Sequence, residues 1–463
     1  MAEYKYNKNV WNKYLQNRNI LDDFADKYKT FLNNSKTERL AASEIEKALI
    51  KDGFKKISDV KLINVGDKLY AVNKNKNVIA FIIGKKMFNN LRILCSHIDS
   101  PRLDLKQNPI YEDGDVVLLD THYYGGVKKY QWTAIPLALV GVVCKKNGEV
   151  VNINIGLDKK DPIFGVNDLL IHLSSTQMEK PLSKAIDGEK LDITFASIPL
   201  SNEKDSAIEK HVIKILEEKY GISKEDFTSA EIEAVPAFEA RDFGIDRSMI
   251  ASYGHDDRCC AFSSLEAFLN ISAPLEDTLC AIFVDKEEIG SEGATSAQSY
   301  FVENTICRLI DLYLKKNKQQ GDIFYNLRIC LENSIMLSSD VTAADDPLFK
   351  EVSSKNNMAR LGYGPCFNKY TGHKGKFGAN DANPEYIAFL RNKLDKKDIY
   401  YQSNELGCVD IGGGGTIAYI FANYNMNVID AGIPVFNMHA PMEVISKADL
   451  YETYLLYRTF LLD

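Results

Sequence analysis

The sequence predicts an α/β fold in which helices cover a mixed central sheet and a smaller β-rich domain is inserted. Three observations predict this class. Apolar residues at helical spacing open the chain, and apolar runs such as TLCAIFV and NSIMLSS alternate with helical patterns after Gly254. Between residues 105 and 240, the runs DVVLLD, LALVGVVCK and VVNINIG are instead separated by Gly, Asp and Lys. We therefore expect a main domain formed by residues 1–104 and 241–463, with an inserted domain at 105–240.

The elements follow in order along the main domain. A first amphipathic helix is predicted by the spacing of Val10, Tyr14, Leu21, Phe24 and Tyr28. Ser35 and Glu38 have the spacing of a capping box for a second helix that runs through Leu49. The segment KLYAVNKNKNVIAFIIG then predicts two strands around a polar turn, and the apolar run LRILCS follows before His97.

Length, composition and charge exclude several classes of protein. A chain of 463 residues with 45% hydrophobic residues can bury a large core and favours two domains. A formal charge of −8 and the absence of a basic arm exclude nucleic acid as an expected partner. The charged N-terminal segment is not typical of a secretory signal, and no apolar run reaches the roughly 18 to 20 residues of a membrane span.

The cysteine content indicates a reducing compartment. Nine cysteines are present, Cys259 and Cys260 are adjacent, and no CxxC pair occurs. This pattern predicts neither a disulfide framework nor a cysteine zinc site. We therefore expect a cytoplasmic protein that does not associate with membranes.

Ligand-type side chains follow four apolar runs, each at the point where a strand is predicted to end. The carboxyl ends of strands in an open α/β sheet meet at a common crevice, so these side chains are expected to converge. Two imidazoles with several carboxylates are typical of a zinc, manganese or cobalt site in a hydrolase. The residues are His97 after LRILCS, Glu287 and Glu288 after CAIFVDK, Asp340 after SIMLSS, His439 after PVFNM, and Asp256-Asp257 at a predicted helix start.

Two short spacings within this set have a chemical consequence. In His97-Ile98-Asp99, residues i and i+2 of an extended segment lie on the same side, so Asp99 is able to hydrogen-bond the imidazole. Adjacent carboxylates at Glu287 and Glu288 allow one to bind metal while the other acts as a general base. Taken singly, such pairs are more often structural, and an Asp at a helix start is usually an N-cap.

In combination, these residues resemble the aspartyl aminopeptidases, a family of two-zinc exopeptidases. The resemblance covers nearly the whole chain. Its matching segments are SHIDSPRLDLK at 96–106, GHDDRCCAFSSLEA at 254–267, DKEEIGSEGA at 285–294, SSDVTAA at 338–344 and NMHAPMEV at 437–444.

The resemblance implies a metallo-aminopeptidase of zinc-exopeptidase fold that cleaves the N-terminal peptide bond with water activated between two Zn²⁺ ions per subunit. Mn²⁺ and Co²⁺ are alternative metals. It implies catalytic roles for Asp99 and Glu287, and the same resemblance implies homo-oligomers, with the inserted domain helping to build a tetrahedral dodecamer. The implied metal ligands are His97, Glu288, Asp340 and His439, with Asp257 bridging the ions.

Substrate recognition is less determined by the sequence. Peptides with a free N-terminus are the implied substrates, and a preference for Asp or Glu would require a fixed positive charge. Lys369 is the nearest match for that charge, with Lys374 and Lys376 as rivals, and the alternative is a solvated basic loop. His172 is similar to a family histidine that reaches a neighbouring subunit's active site, although a histidine in an apolar strand is usually structural.

Two departures from the family pattern and two rival functions remain open. Asp256-Asp257-Arg258 stands where better-known members read Leu-Asp-Asn, and Ala343 stands where they carry histidine. A dizinc carboxypeptidase or N-acyl amino acid deacylase would use the same ligand types, and a non-catalytic scaffold would keep the fold alone. The glycines at 412–415 lack phosphate-binding spacing, so we expect a tight turn.

Overall fold

The structure, a computed structural model, describes residues 6–272 and 275–462. The chain divides into two compact units. The first comprises Met1–Asp99, Ala240–Met438 and Met442–Asp463, and the second comprises Ser100–Glu239 with His439–Pro441. The second unit thus begins five residues before the boundary expected from composition and also includes a short segment near the C-terminus. Residues 1–5, which open the N-terminal segment discussed above, lie outside the described part.

The first unit opens with helices that lead into a sheet. The helix α3 is capped by Thr37, whose side chain accepts the Leu40 N–H at 3.3 Å, whereas the sequence had suggested Ser35. The strands β2 and β3 pair in antiparallel fashion around the predicted polar turn. The elements are α1 (Trp11–Tyr14), α2 (Asn19–Asn34), α3 (Glu38–Lys51), β1 (Lys55–Lys56), β2 (Lys68–Asn73), β3 (Asn77–Ile82) and β4 (Leu91–His97).

The second unit is built on one antiparallel sheet. Its seven strands have the order β8-β7-β11-β5-β6-β10-β9. The helix α6 includes the segment near Ile208 that showed a helical pattern in the sequence. The elements are β5 (Arg102–Asp113), β6 (Val116–Tyr124), β7 (Leu137–Cys144), β8 (Val150–Ile155), β9 (Gly165–Val166), α4 (Ser175–Met178), α5 (Leu182–Ala185), β10 (Ile193–Ala196), α6 (Ala207–Tyr220) and β11 (Ala230–Pro236).

The remaining chain completes the first unit. Its strands are β12 (Arg241–Phe243), β13 (Met249–Ser252), β14 (Thr278–Val284), β15 (Ile335–Ser338), β16 (Thr342–Ala343), β17 (Cys366–Asn368), β18 (Gly372–His373), β19 (Gln402–Asn404), β20 (Gly413–Gly414), β21 (Asn427–Gly432), β22 (Pro434–Phe436) and β23 (Glu443–Ser446). Its helices are α7 (His255–Leu269), α8 (Phe301–Asn317), α9 (Ile323–Glu332), α10 (Pro384–Lys396), α11 (Ala418–Ala422) and α12 (Lys447–Leu461).

A nine-stranded mixed sheet is the centre of the first unit, as predicted. Its order is β1-β2-β3-β14-β4-β15-β21-β17-β19, and β14, β4, β15 and β21 run parallel. Two apolar clusters contain alternate residues of these strands, one including α7 and α12 and the other α8 and α9. A smaller sheet has the order β12-β13-β23-β22-β16. Among the described helices, none combines the length and apolar character needed to cross a bilayer.

Candidate active site

The strand β4 brings His97 to the carboxyl edge of the central sheet. It lies between β14 and β15 and runs parallel to both, with His97 opposite Val284 and Cys95 opposite Ser338. Because all three strands end at this level, the chain segments that follow them emerge side by side. Glu287, Glu288 and Asp340 lie on the segments after β14 and β15, so the expected convergence of these strands is present.

His97 is the centre of a buried cluster of carboxylates. Its side chain is 1% exposed, and its Nε2 lies 3.1 Å from Asp256 Oδ1. The same nitrogen is 3.8 Å from Asp340 Oδ1 and 3.9 Å from Glu287 Oε2. Three separate segments of the first unit therefore bring a carboxylate to within 4 Å of one imidazole nitrogen.

Asp99 fixes both His97 and the turn after β14. Its Oδ1 lies 3.3 Å from His97 Nδ1, and its backbone carbonyl is 3.1 Å from the same nitrogen. Its two carboxylate oxygens also accept the backbone N–H groups of Glu287 and Glu288, each at 3.2 Å. These two residues open a short 3-10 turn, Glu287–Ile289, and the first N–H groups of a helical turn have no partner within it. The interaction expected between Asp99 and the imidazole is present, and the contact with the turn adds to it.

At the start of α7, the structure places Asp256 rather than Asp257 against His97. The backbone at Asp256 is extended (φ −77°, ψ 110°), so the two neighbouring side chains point in different directions. The Asp257 carboxylate instead lies near the thiols of Cys259 and Cys260. The structure thus places Asp256 beside His97, and not Asp257, which the sequence predicted as the bridging ligand. Sequence spacing could not separate two adjacent aspartates.

Burial and neighbouring charges shift the pKa values of the side chains in this cluster, in part in opposite directions. Burial raises the pKa of Asp340 well above its usual value, and the charges of Glu287 and Asp256 raise it further, against the effect of His97. Burial would lower the pKa of His97, yet its contacts with Asp256 and Asp99 and the nearby carboxylates raise it well above its usual value. A cation bound among these acidic groups would stabilise their ionised forms.

The donor atoms fit a metal ion. His97, Asp256 and Asp340 each offer a ligand atom, and these atoms all lie within 4.8 Å of one another. The same holds for His97, Glu287 and Glu288. An imidazole with carboxylates is the donor set of catalytic zinc sites. The side chains present are therefore suited to hold zinc.

His439 belongs to the short segment that groups with the second unit. Its Nδ1 lies 2.9 Å from the carbonyl oxygen of Gly126. A Cβ atom at position 126 would lie 3.2 Å from that nitrogen, so a glycine leaves room for the ring. His439 itself has a positive φ of 67°, unusual for a residue with a side chain. The local backbone thus holds this imidazole in a defined orientation.

The residues expected to bind substrate are more exposed. Lys369 forms an ion pair with Asp381, and Lys376 Nζ lies 3.2 Å from the same carboxylate. Lys374 is exposed and occupies a left-handed turn. His172 lies in an exposed 3-10 turn, Ile171–Leu173, rather than in an apolar strand. The structural role that buried strand histidines usually have therefore does not apply to His172.

The sequence analysis did not identify Glu443, which lies beside the cluster around His97. Its side chain is buried, and its Oε2 accepts the backbone N–H of Asp256 at 3.1 Å. Glu443 lies in the segment NMHAPMEV, in which the sequence predicted a functional role only for His439. Only the pairing of β23 with β13 shows that Glu443 comes close to the start of α7.

A buried histidine among carboxylates at the carboxyl edge of an α/β sheet defines a class of metallohydrolases. The particular family follows from comparison with known proteins. Residues 31–461 match the family described as aminopeptidase I zinc metalloprotease (M18). The chain belongs to this family of zinc-dependent aminopeptidases, which are exopeptidases.

Relatives and solved structures agree with this assignment. A probable M18 family aminopeptidase 1 of Clostridium acetobutylicum is 52% identical over 98% of this chain and 98% of its own length. The crystal structure of an M18 aminopeptidase from Thermotoga maritima has a TM-score of 0.94 at 42% identity, covering 98% of this chain and 99% of its own. The S. cerevisiae mApe1 dodecamer, at 19% identity and a TM-score of 0.75, shares the fold over 96% of this chain and 97% of its own.

Proposed function

We propose that this aminopeptidase holds two zinc ions and cleaves the N-terminal peptide bond of its substrates between them. The observation that carries the proposal is the position of Asp256 Oδ1, 3.1 Å from His97 Nε2, with Asp340 Oδ1 3.8 Å from the same nitrogen. Asp256 is the shared ligand in this proposal. The family resemblance implied His97, Asp257, Glu288, Asp340 and His439 as ligands. With Asp256 in place of Asp257 because of its distance to His97, the proposed ligand set is His97, Asp256, Glu288, Asp340 and His439.

The side chains of the site have separate roles in this proposed mechanism. Zinc, when bound, polarises the scissile carbonyl and lowers the pKa of water. Glu287 accepts a proton from the attacking water and transfers it to the departing amine, so no external base is needed. Its side chain is 16% exposed and hence open to substrate, while Asp99 is fully buried and keeps His97 and the Glu287 backbone in place. Asp99 is thus a positioning residue in this mechanism.

We also propose a preference for substrates whose N-terminal residue is acidic. The positive charge of Lys369 is paired with Asp381, and Lys376 shares the same carboxylate. An aspartate or glutamate side chain of the substrate would have to compete with Asp381 for that charge. We therefore expect only a modest preference for acidic first residues. A screen of aminoacyl p-nitroanilides, comparing kcat/KM for Asp, Glu, Leu and Lys, measures it.

Homo-oligomers are the proposed working form. Large apolar side chains that are exposed and close in sequence in the second unit support this, because exposed apolar patches are typical of interfaces. His172 lies among them, and on the resemblance we propose that it reaches the active site of a neighbouring subunit. A tetrahedral dodecamer predicts a particle of twelve times the 52.1 kDa chain mass in light scattering. The apolar residues are Leu169, Leu170, Ile171, Leu173, Met178 and Leu182, between 47% and 71% exposed.

Removal of the metal tests the proposed function directly. Dialysis against a chelator should abolish hydrolysis of Leu-p-nitroanilide, and two equivalents of Zn²⁺ per chain should restore it. Mn²⁺ and Co²⁺ added in the same way identify the most active metal. An N-acetylated peptide separates the rival classes, because an aminopeptidase leaves it intact whereas a deacylase removes the acetyl group. Full activity after chelation, with no metal detected by mass spectrometry, contradicts the proposal.

A further inference from the structure

The N-terminal turn of α7 has a hydrogen-bond acceptor that comes from a distant strand. The first N–H groups of a helix have no intrahelical partner, and α7 departs from helical geometry at Asp256 and Asp257. The Asp256 N–H donates to Glu443 Oε2 at 3.1 Å, across 187 residues of sequence. Glu443 is 1% exposed, so water does not compete for this contact.

Strand pairing holds Glu443 in place. It is the first residue of β23, which pairs with β13 in antiparallel register, so that Glu443 lies opposite Ser252. Ser252 is the last residue of β13 and is only four residues before Asp256. The sheet therefore fixes the Glu443 backbone relative to the chain that enters α7. Its side chain then determines the orientation of the next peptide groups.

The segment before Asp256 is anchored a second time, through His255. Its Nε2 contacts the Ile250 carbonyl oxygen at 3.0 Å, and its Nδ1 contacts the Tyr28 hydroxyl at 2.7 Å. His255 is completely buried. Contacts on both sides of one peptide unit leave little freedom for the Asp256 side chain. From this anchored peptide unit, the Asp256 carboxylate reaches to 3.1 Å from His97 Nε2.

We propose that Glu443 is a positioning residue that sets the orientation of Asp256 for metal binding. The proposal rests on the ligand role of Asp256 given under the proposed function. A charged acceptor forms a stronger hydrogen bond with a backbone N–H than a neutral one does. Groups that orient a metal ligand typically change metal affinity by about 10- to 100-fold when removed. Glu443 thus influences zinc without touching it.

Zinc affinity, measured by competition with a chelating dye, tests this role. Glu443→Ala removes the acceptor and should weaken zinc binding by about 10- to 100-fold, with a fall in kcat larger than any change in KM. Glu443→Gln keeps a carbonyl acceptor on a side chain of the same length but loses the charge, so zinc affinity should fall less than in Glu443→Ala. If Glu443 served only to stabilise the fold, zinc affinity would fall only as far as the stability of the metal-free protein falls. That role does not predict a recovery of zinc affinity in Glu443→Gln at unchanged stability of the metal-free protein.

Asp449 provides a matched control. It is also a buried carboxylate in the first unit, and it accepts the N–H groups of Gly362 and Gly364, each at 2.7 Å. Asp449→Ala should lower the unfolding temperature while zinc affinity stays unchanged. If both alanine variants weaken zinc equally, the effect is general destabilisation and the positioning role is overturned.

A folding failure of Glu443→Ala does not leave the proposal undecided. Glu443→Asp keeps the charge but withdraws the acceptor by one methylene, so it should weaken zinc binding relative to Glu443→Gln. Equal zinc affinities in these two variants overturn the proposal. Asp256→Ala distinguishes this failure from a failure of the proposed function: if Asp256→Ala also binds zinc normally, the ligand assignment itself is wrong.

Discussion

The carboxylate of Asp99 accepts the backbone N–H of Glu287 at 3.2 Å. Its other oxygen accepts the N–H of Glu288, and Oδ1 lies within 3.3 Å of His97 Nδ1. One buried side chain thus ties the end of β4 to the turn that follows β14. The proposed base and two proposed metal ligands share this single anchor.

Asp99→Asn should impair metal binding and catalysis together. An amide of the same shape keeps one acceptor and replaces the other with an NH₂ group, which cannot accept a backbone N–H. We expect zinc affinity to fall by about 10- to 100-fold. Dye competition and kcat measured with saturating zinc check this. The exposed Asp59→Asn serves as control, and an Asp99→Asn enzyme that matches it in both measurements contradicts the positioning role.

Glu287→Gln should lower turnover without removing metal. The amide cannot accept a proton from water, so kcat should fall by about 10² to 10⁴ while KM changes little. Zinc content, measured by mass spectrometry, should remain at two per chain. Glu292→Gln, at an exposed position five residues further along the chain, should keep full activity. Normal turnover in Glu287→Gln with both metals bound removes Glu287 from the role of base.

A comparison of two adjacent aspartates tests the revised ligand assignment. Asp256→Asn replaces a carboxylate that lies 3.1 Å from His97 Nε2, and we expect zinc content and activity to be lost. Asp257→Asn changes a group that lies beside Cys259 and Cys260, so zinc content should stay near that of the original enzyme. The reverse pattern, with zinc lost only in Asp257→Asn, would restore the assignment expected from the sequence.

Asp277 should stabilise the fold in a pH-dependent way. It lies just before β14 and binds Arg92 Nε at 2.8 Å and Lys86 Nζ at 3.0 Å. Burial opposes its ionisation, but these cations hold its pKa below the usual value. Because the folded-state pKa lies below the unfolded value of about 3.9, the stabilisation is complete above that pH and is lost as the pH falls through the folded-state pKa.

Asp277→Asn should therefore lower the free energy of unfolding by about 1 to 3 kcal/mol at neutral pH. The difference should shrink as the pH falls below about 4. Urea unfolding followed by circular dichroism at several pH values measures both effects. Glu276→Gln is a matched control, because its partner Lys85 is 53% exposed and Glu276 is 55% exposed, and such pairs contribute about 0 to 1 kcal/mol. A pH-independent loss in Asp277→Asn contradicts the electrostatic explanation.

Local sequence patterns were sufficient to predict the central sheet and most of the residues that lie together around His97. The apolar run before His97 and the run before Asp340 are buried parallel strands, and burial on both faces makes such strands readable as continuous apolar segments. His97, Glu287, Glu288 and Asp340 were expected to emerge at one edge because parallel strands end together. The structure brings these four residues to that edge.

The sequence by itself therefore determined the fold class, the edge at which the site is formed and the residue types in it. Tertiary structure decided which of Asp256 and Asp257 meets His97, and that Lys369 is paired with Asp381. It also decided that Glu443 contacts the start of α7. The periodicity of apolar residues indicates which face of a helix or strand is buried. The direction of one side chain at a non-helical turn depends on contacts with residues distant in sequence, and no local pattern contains that information.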